Sequence, residues 1–349
     1  MREQSPIPFA LKIPLSFRHP CHEVHRFPPM TDSVLRQIRF PAPDGLVLLG
    51  EVWPGGNGPE DAKAPPLVFL PGNGFPVQVY RDMVSGHPGC REVHALNPRG
   101  IGGSESPAAF ESWDVLLNEF RAYVEGQLEA PVLLGGHSLG AMLSLRLAAE
   151  APHLVSGLLL LEPIVRGGAT GDWARPRVIA GRNIIERTRT RQALWPNRAE
   201  AEAAFTGHPA YAGWDAGVLS TYLAHALIDE ASGNGSGTDG GMEASERGER
   251  ETRLACPPWL EALIYETEPK REMFAYARAA RCPAVLMRGE DSLDVSAAGL
   301  EELTRTVPVG VLFTVPGTHA FPMERPKETA HAVRQALAIL SGRTDPNRP

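Results

Sequence analysis

Cysteine is scarce in this chain, and what there is stands apart. Cys21, Cys90, Cys256 and Cys282 are the four in 349 residues, and no two share the short spacing of a metal knuckle or a redox pair. A disulfide framework is therefore not expected, and the thiols read as buried or incidental residues of a cytoplasmic, reducing setting. Clustered positive charge is also missing: 34 Lys and Arg stand against 41 Asp and Glu, a net charge of −7. Phosphate backbones need grouped Lys and Arg, so no nucleic-acid partner is expected. No apolar stretch approaches the ~18 residues of a membrane span. In residues 1–33, prolines and charges break every apolar stretch before a secretory core forms, so this segment reads as a flexible leader. No metal-type cluster or nucleotide loop is visible. Gly100-Ile101-Gly102-Gly103 belongs to a loop after a strand and is not a phosphate cradle. No cofactor is expected.

What is present fits a globular enzyme: 43% hydrophobic and 21% charged residues, in a chain long enough for one large α/β domain or two ordinary ones. VLRQIRF (34–40) and LVLLGEVW (46–53) flank Pro41-Ala42-Pro43-Asp44-Gly45, whose Asp-Gly signals a hairpin. PLVFLPG then reads as a buried central strand, followed by a helix over about 76–86 and a strand in REVHAL. Trp113, Leu116, Leu117, Phe120, Val124 and Leu128 share one helical face, predicting an amphipathic helix over 110–128. Strand PVLLGG, a helix from Leu139 to about Ala151 and strand GLLLLEP continue the alternation. After residue 281 it resumes with PAVLMRG, a helix from about Ser296, VGVLFTVPG and a helix from about Arg325. Strands and helices alternating at these lengths predict a mostly parallel, doubly wound α/β sheet. Its parts are 34–163 and 282–349. Between them, 164–281 reads as a mainly helical insertion rich in aromatics, with a polar Gly/Ser/Glu tract at 232–251 too hydrophilic to pack.

Gly136-His137-Ser138-Leu139-Gly140 lies where a strand gives way to a helix. A sharp turn there strains the serine backbone, crowds its neighbours and lifts the hydroxyl off the sheet, so small flanking residues are needed. Ser138 is the candidate nucleophile. A hydroxyl needs a base, and His319 follows the last predicted strand in VPGTHAFPMERP, which returns a histidine to the same sheet edge. Serine early and histidine last is the chain order of one of the serine-hydrolase layouts.

Four stretches, LPGNGFP, NPRGIGGS, GGHSLGAM and PGTHAFPMERP, resemble in order the α/β-hydrolase fold family, over about residues 35–162 and 282–342. The resemblance implies that the insertion is a cap over the sheet. Its segments HPAYAGWDAGVLSTYLAHAL and LACPPWLEALIY are similar to caps of bacterial members without assigned substrates. It also implies an oxyanion hole from the backbone N–H groups of Asn73 and Leu139, with Pro71 standing where the family often has histidine. The third triad member stays open. The family's usual slot, three residues past Gly289, holds Ser292, while Asp291 and Asp294 flank it. Some members instead carry the acid at the end of the preceding strand, where Glu162 stands 24 residues after Ser138. The implied activity is serine hydrolysis of an ester, thioester or similar activated carbonyl of a small apolar or aromatic substrate, through an acyl-enzyme. Carbon–carbon bond hydrolysis, acyl transfer or a receptor role fits the same frame.

Overall fold

The computed structural model describes residues 11–13, 35–164, 184–231, 250–269 and 273–342. Nine strands form one sheet: β1 (Leu11–Ile13), β2 (Arg36–Pro41), β3 (Val47–Pro54), β4 (Leu67–Leu70), β5 (Glu92–Leu96), β6 (Val132–His137), β7 (Val155–Leu161), β11 (Ala284–Gly289) and β12 (Gly310–Val315). Their order is β1-β12-β11-β7-β6-β4-β5-β3-β2. Only β2–β3 and β3–β5 pair antiparallel, so the sheet is mostly parallel as its alternating pattern predicts. β2 and β3 are the expected hairpin, with Gly45 at φ 92° in its turn.

The central strands are apolar on both faces because helices cover both. Val68, Leu70, Leu134, Leu158 and Leu160 point into one core, and Leu67, Phe69, Leu133, Leu159 and Leu161 into the other, following the two-residue period of a strand. Truncating one such leucine, for instance Leu134, to alanine would cost about 2–5 kcal/mol. α2 (Trp113–Gln127) buries Trp113, Leu116, Leu117, Phe120 and Val124, and the Ser112 side chain caps it by accepting from Asp114 N–H at 3.2 Å. α3 (Leu139–Glu150) packs on β6 and β7. The segment expected as one helix over 76–86 is a 3-10 turn, Val77–Tyr80, running into the short α1 (Arg81–Val84). Pro76, with its ring and missing N–H, sets that start.

Residues 184–269 form a second cluster of elements. Helical residues 184–190 (α4) precede β8 (Leu194–Trp195), α5 (Arg198–Thr206), α6 (Ala216–Ala226), β9 (Leu227–Ala231), β10 (Arg250–Leu254) and α7 (Pro258–Glu266). The mainly helical reading of this stretch missed a three-stranded antiparallel sheet, β8-β10-β9. Charged and hydroxyl side chains hid it from a search for apolar alternation. They pair across the strands instead: Thr252 donates to Asp229 at 2.7 Å and Arg253 to Glu230 at 2.6 Å. Two boundaries also differ. α8 (Met273–Ala279) packs on α3, in the helical layer of the main sheet, although the insertion as read extends to 281. Leu11–Ile13, inside the expected leader, pairs parallel with β12. The rest of 1–33 described as leader lies outside the described residues, as does the 232–251 tract apart from Arg250 and Glu251, which begin β10. The last elements are α9 (Ala297–Thr306), α10 (Phe321–Glu324) and α11 (Pro326–Leu340).

The order of strand addition reverses beside β4: it pairs in parallel with β5 on one side and with the later β6 on the other. In open α/β sheets such a switch point opens a crevice at the strands' carboxyl ends, where ligands bind.

Candidate active site

Ser138 sits at that crevice, between β6 and α3, at φ 51° and ψ −109°. Its N–H donates to Leu161 O at 2.9 Å, and Gly140 N–H donates to Pro71 O at 3.1 Å. A Cβ on Gly140 would lie 2.2 Å from Leu70 O, so only glycine lets the helix start this close to β4. Among the described residues, the non-glycine positions with positive φ are Ser138 and Glu162. Such conformations cost about 1–3 kcal/mol each and cluster where geometry serves chemistry.

Glu162 closes β7 and is fully buried. Its Oε2 lies 3.0 Å from His319 Nδ1. It also accepts from Gly289 N–H and, at 2.9 Å, from the Ser292 hydroxyl. A carboxyl group taken out of water needs such donors to replace its lost hydration. Ser292, in the family's usual acid slot, is thus a donor to the acid of the neighbouring strand. Asp291 and Asp294 are exposed; the Asp291 N–H donates to Gly317 O at 2.9 Å, and Asp294 lines the cavity over the site.

Beneath His319 lies a chain of groups that sequence reasoning missed. Gly72 N–H donates to the Tyr80 hydroxyl at 3.2 Å, and that hydroxyl lies 2.8 Å from His137 Nδ1. His137 Nε2 is 3.0 Å from His319 O. A carbonyl only accepts, so Nε2 carries the proton and Nδ1 accepts from Tyr80. Burial, with the neighbouring His319 adding to it, holds the His137 pKa well below that of an ordinary histidine, which keeps the ring neutral. The chain joins the Gly72-Asn73 turn to the His319 loop through the residue before Ser138. His137 in the GHS triplet was the signal that could have found it.

A cavity of about 410 Å³ covers these groups. Ser138, Leu139, Asn73 and His319 line it from the sheet edge, and Tyr211, Trp214, Tyr222 and Tyr265 from the second cluster. Phe75 meets Trp214 with ring centroids 5.7 Å apart, so the aromatic wall continues across both parts. Trp195 and Phe205 instead pack inside the second cluster, Trp259 is exposed, and Trp173 lies outside the described residues. Leu139 is the first residue of α3, so its N–H has no intrahelical partner.

The sequence profile of the alpha/beta hydrolase family matches residues 67–332. The chain belongs to the alpha/beta hydrolase family. Lipase LipV of Mycobacterium tuberculosis is 32% identical over 138 residues, 39% of this chain and 49% of LipV, so the match spans about half of that relative's length. Among solved structures, E-2-(acetamidomethylene)succinate hydrolase superposes with a TM-score of 0.62 at 19% identity, covering 87% of this chain and 99% of that chain. The peroxisomal alpha-beta-hydrolase Lpx1 of Saccharomyces cerevisiae gives 0.64 at 16% identity, covering 90% and 91%. These two likenesses concern the fold. Among the described residues, no helix is long and apolar enough to cross a membrane, and no group of His, Cys, Asp and Glu could hold a metal ion.

Proposed function

We propose that this hydrolase is a serine esterase with Ser138 as nucleophile, His319 as base and Glu162 as the acid. The observation that carries the reading is the 3.0 Å contact between Glu162, one strand from the strained serine, and His319, three strands from it, with Ser138 and His319 on the same cavity. His319 Nε2 takes the Ser138 proton as Oγ attacks the carbonyl carbon. Glu162 accepts the Nδ1–H, holds that tautomer and stabilises the imidazolium. The oxyanion is met by the N–H groups of Asn73 and Leu139; losing one such donor typically costs about 3 kcal/mol. Collapse of the tetrahedral intermediate expels the alcohol, protonated by His319. Water then attacks the acyl-enzyme, giving its proton to His319 and releasing acid and Ser138. In this reading 164–281, except α8, acts as a cap, and its aromatic wall favours a small apolar or aromatic substrate.

Burst release of p-nitrophenol from p-nitrophenyl acetate, with a fluorophosphonate adduct located on Ser138, is the expected result. An adduct on another serine, or steady release without a burst and without labelling, would refute the reading.

A further inference from the structure

Arg191 is the single lysine or arginine among the described residues lining the cavity. It stands between α4 and β8 with a quarter of its side chain exposed. Its Nη2 pairs with Glu261 of α7, whose side chain is buried. Its Nε is buried with no hydrogen-bond partner among the described residues. The pair presses on the turn that carries Asn73. A Cβ on Gly74 would lie 2.8 Å from the Glu261 carboxyl carbon, and Glu261 O accepts from Asn73 Nδ2 at 2.9 Å.

An ion pair in an aromatic-walled cavity loses hydration at both ends and recovers it only if the remaining donors are also met. A guanidinium has five donors in a planar fork. Glu261 fixes that plane at the cavity wall, and a ligand oxygen reaching the exposed part of the fork would offset part of the lost hydration. A carboxylate matches the fork in shape and charge. We propose that Arg191, oriented by Glu261, anchors a carboxylate on the substrate, so that the enzyme hydrolyses esters that also carry an acid group. The aromatic wall holds the carbon skeleton and, by excluding water, strengthens the pairing. Glu261, Glu268 and Asp294 also line the cavity, which disfavours a polyanion and limits the anchor to one carboxylate.

The inference rests on the esterase reading for its kinetic test only. That test compares p-nitrophenyl hexanoate with mono-p-nitrophenyl adipate, and phenyl acetate with 4-acetoxybenzoate. One pair probes the acyl side and the other the alcohol side. In one pair kcat/KM should favour the acid by about tenfold or more, as a charge-assisted hydrogen bond allows. Arg191→Gln should abolish that preference, chiefly through KM, and Arg191→Lys should keep part of it. A merely structural pair would lower both members of each pair alike. Binding of adipate to the Ser138→Ala protein, followed by calorimetry, gives a readout free of turnover, and Arg191→Gln should weaken it about tenfold or more. No acid preference in either pair, or equal losses on Arg191→Gln, overturns the anchor and leaves the esterase standing. Arg191-dependent adipate binding without any ester turnover would support the anchor and sink the esterase.

Discussion

Two loops leave the carboxyl edge of the sheet side by side, after the paired strands β7 and β11. The first brings one carboxylate, Glu162, fully buried, with a positive φ and in contact with His319. The second brings Glu290, Asp291 and Asp294, all exposed. What the acid-rich loop supplies to the site is donors, Gly289 N–H and the Ser292 hydroxyl, and both go to Glu162. A carboxylate serves an imidazole when it is desolvated, fixed and multiply hydrogen-bonded. Three carboxylates facing water are no substitute, because water competes for each and screens its charge.

Ser138→Ala sets the scale for breaking this comparison: ester turnover should fall about a millionfold. Thermal unfolding should show the fold intact. Activity within tenfold of the unaltered enzyme would mean that neither loop serves a serine nucleophile. Next in size, Glu162→Gln should lower kcat about 10²–10⁴-fold, because the neutral amide no longer holds the productive histidine tautomer. Asp291→Asn and Asp294→Asn should each change kcat by no more than about threefold, as expected of exposed side chains. The reverse ranking would move the acid to the loop after β11.

Ser292→Ala removes one donor from the buried carboxylate and should cost about tenfold in kcat, the worth of one hydrogen bond to a charged group. No change would show that Gly289 N–H suffices. In the Glu162→Gln background, Ser292→Asp should recover part of the lost rate, since it places a carboxylate in the commoner slot. Failure to recover any would mean that the backbone after β11 cannot aim an acid at His319.

The smallest effect concerns the imidazole beneath both loops. His137 has a folded pKa lowered by burial, so the unfolded chain takes up its proton first as pH falls below about 6.5. Stability is therefore lost on acidification, from that pH downward. Urea unfolding at about pH 7.5 and about pH 5 should show a shallower loss for His137→Gln. An equal loss would mean that His137 is not kept neutral by the fold.

The amino-acid pattern alone determined the alternation of strands and helices, the hairpin at Gly45, the stripe on α2 and the strand-to-helix setting of Ser138. Each is a local matter of periodicity, turn chemistry or glycine placement, readable within about 20 residues. The sheet in the second cluster was not legible, because its strands are held by polar cross-strand pairs, and partners 23 residues apart leave no local mark. Nor was Arg191 distinguishable among 34 lysines and arginines. The carboxylate was left open among Glu162, Asp291 and Asp294 for the same kind of reason. Spacing told of a strand end and an acid-rich loop, but not which carboxylate would lose water and gain donors. Only the parallel pairing of β7 with β11, and the return of His319 after β12, decided that. Desolvation and hydrogen bonding are set by neighbours 127 to 157 residues away.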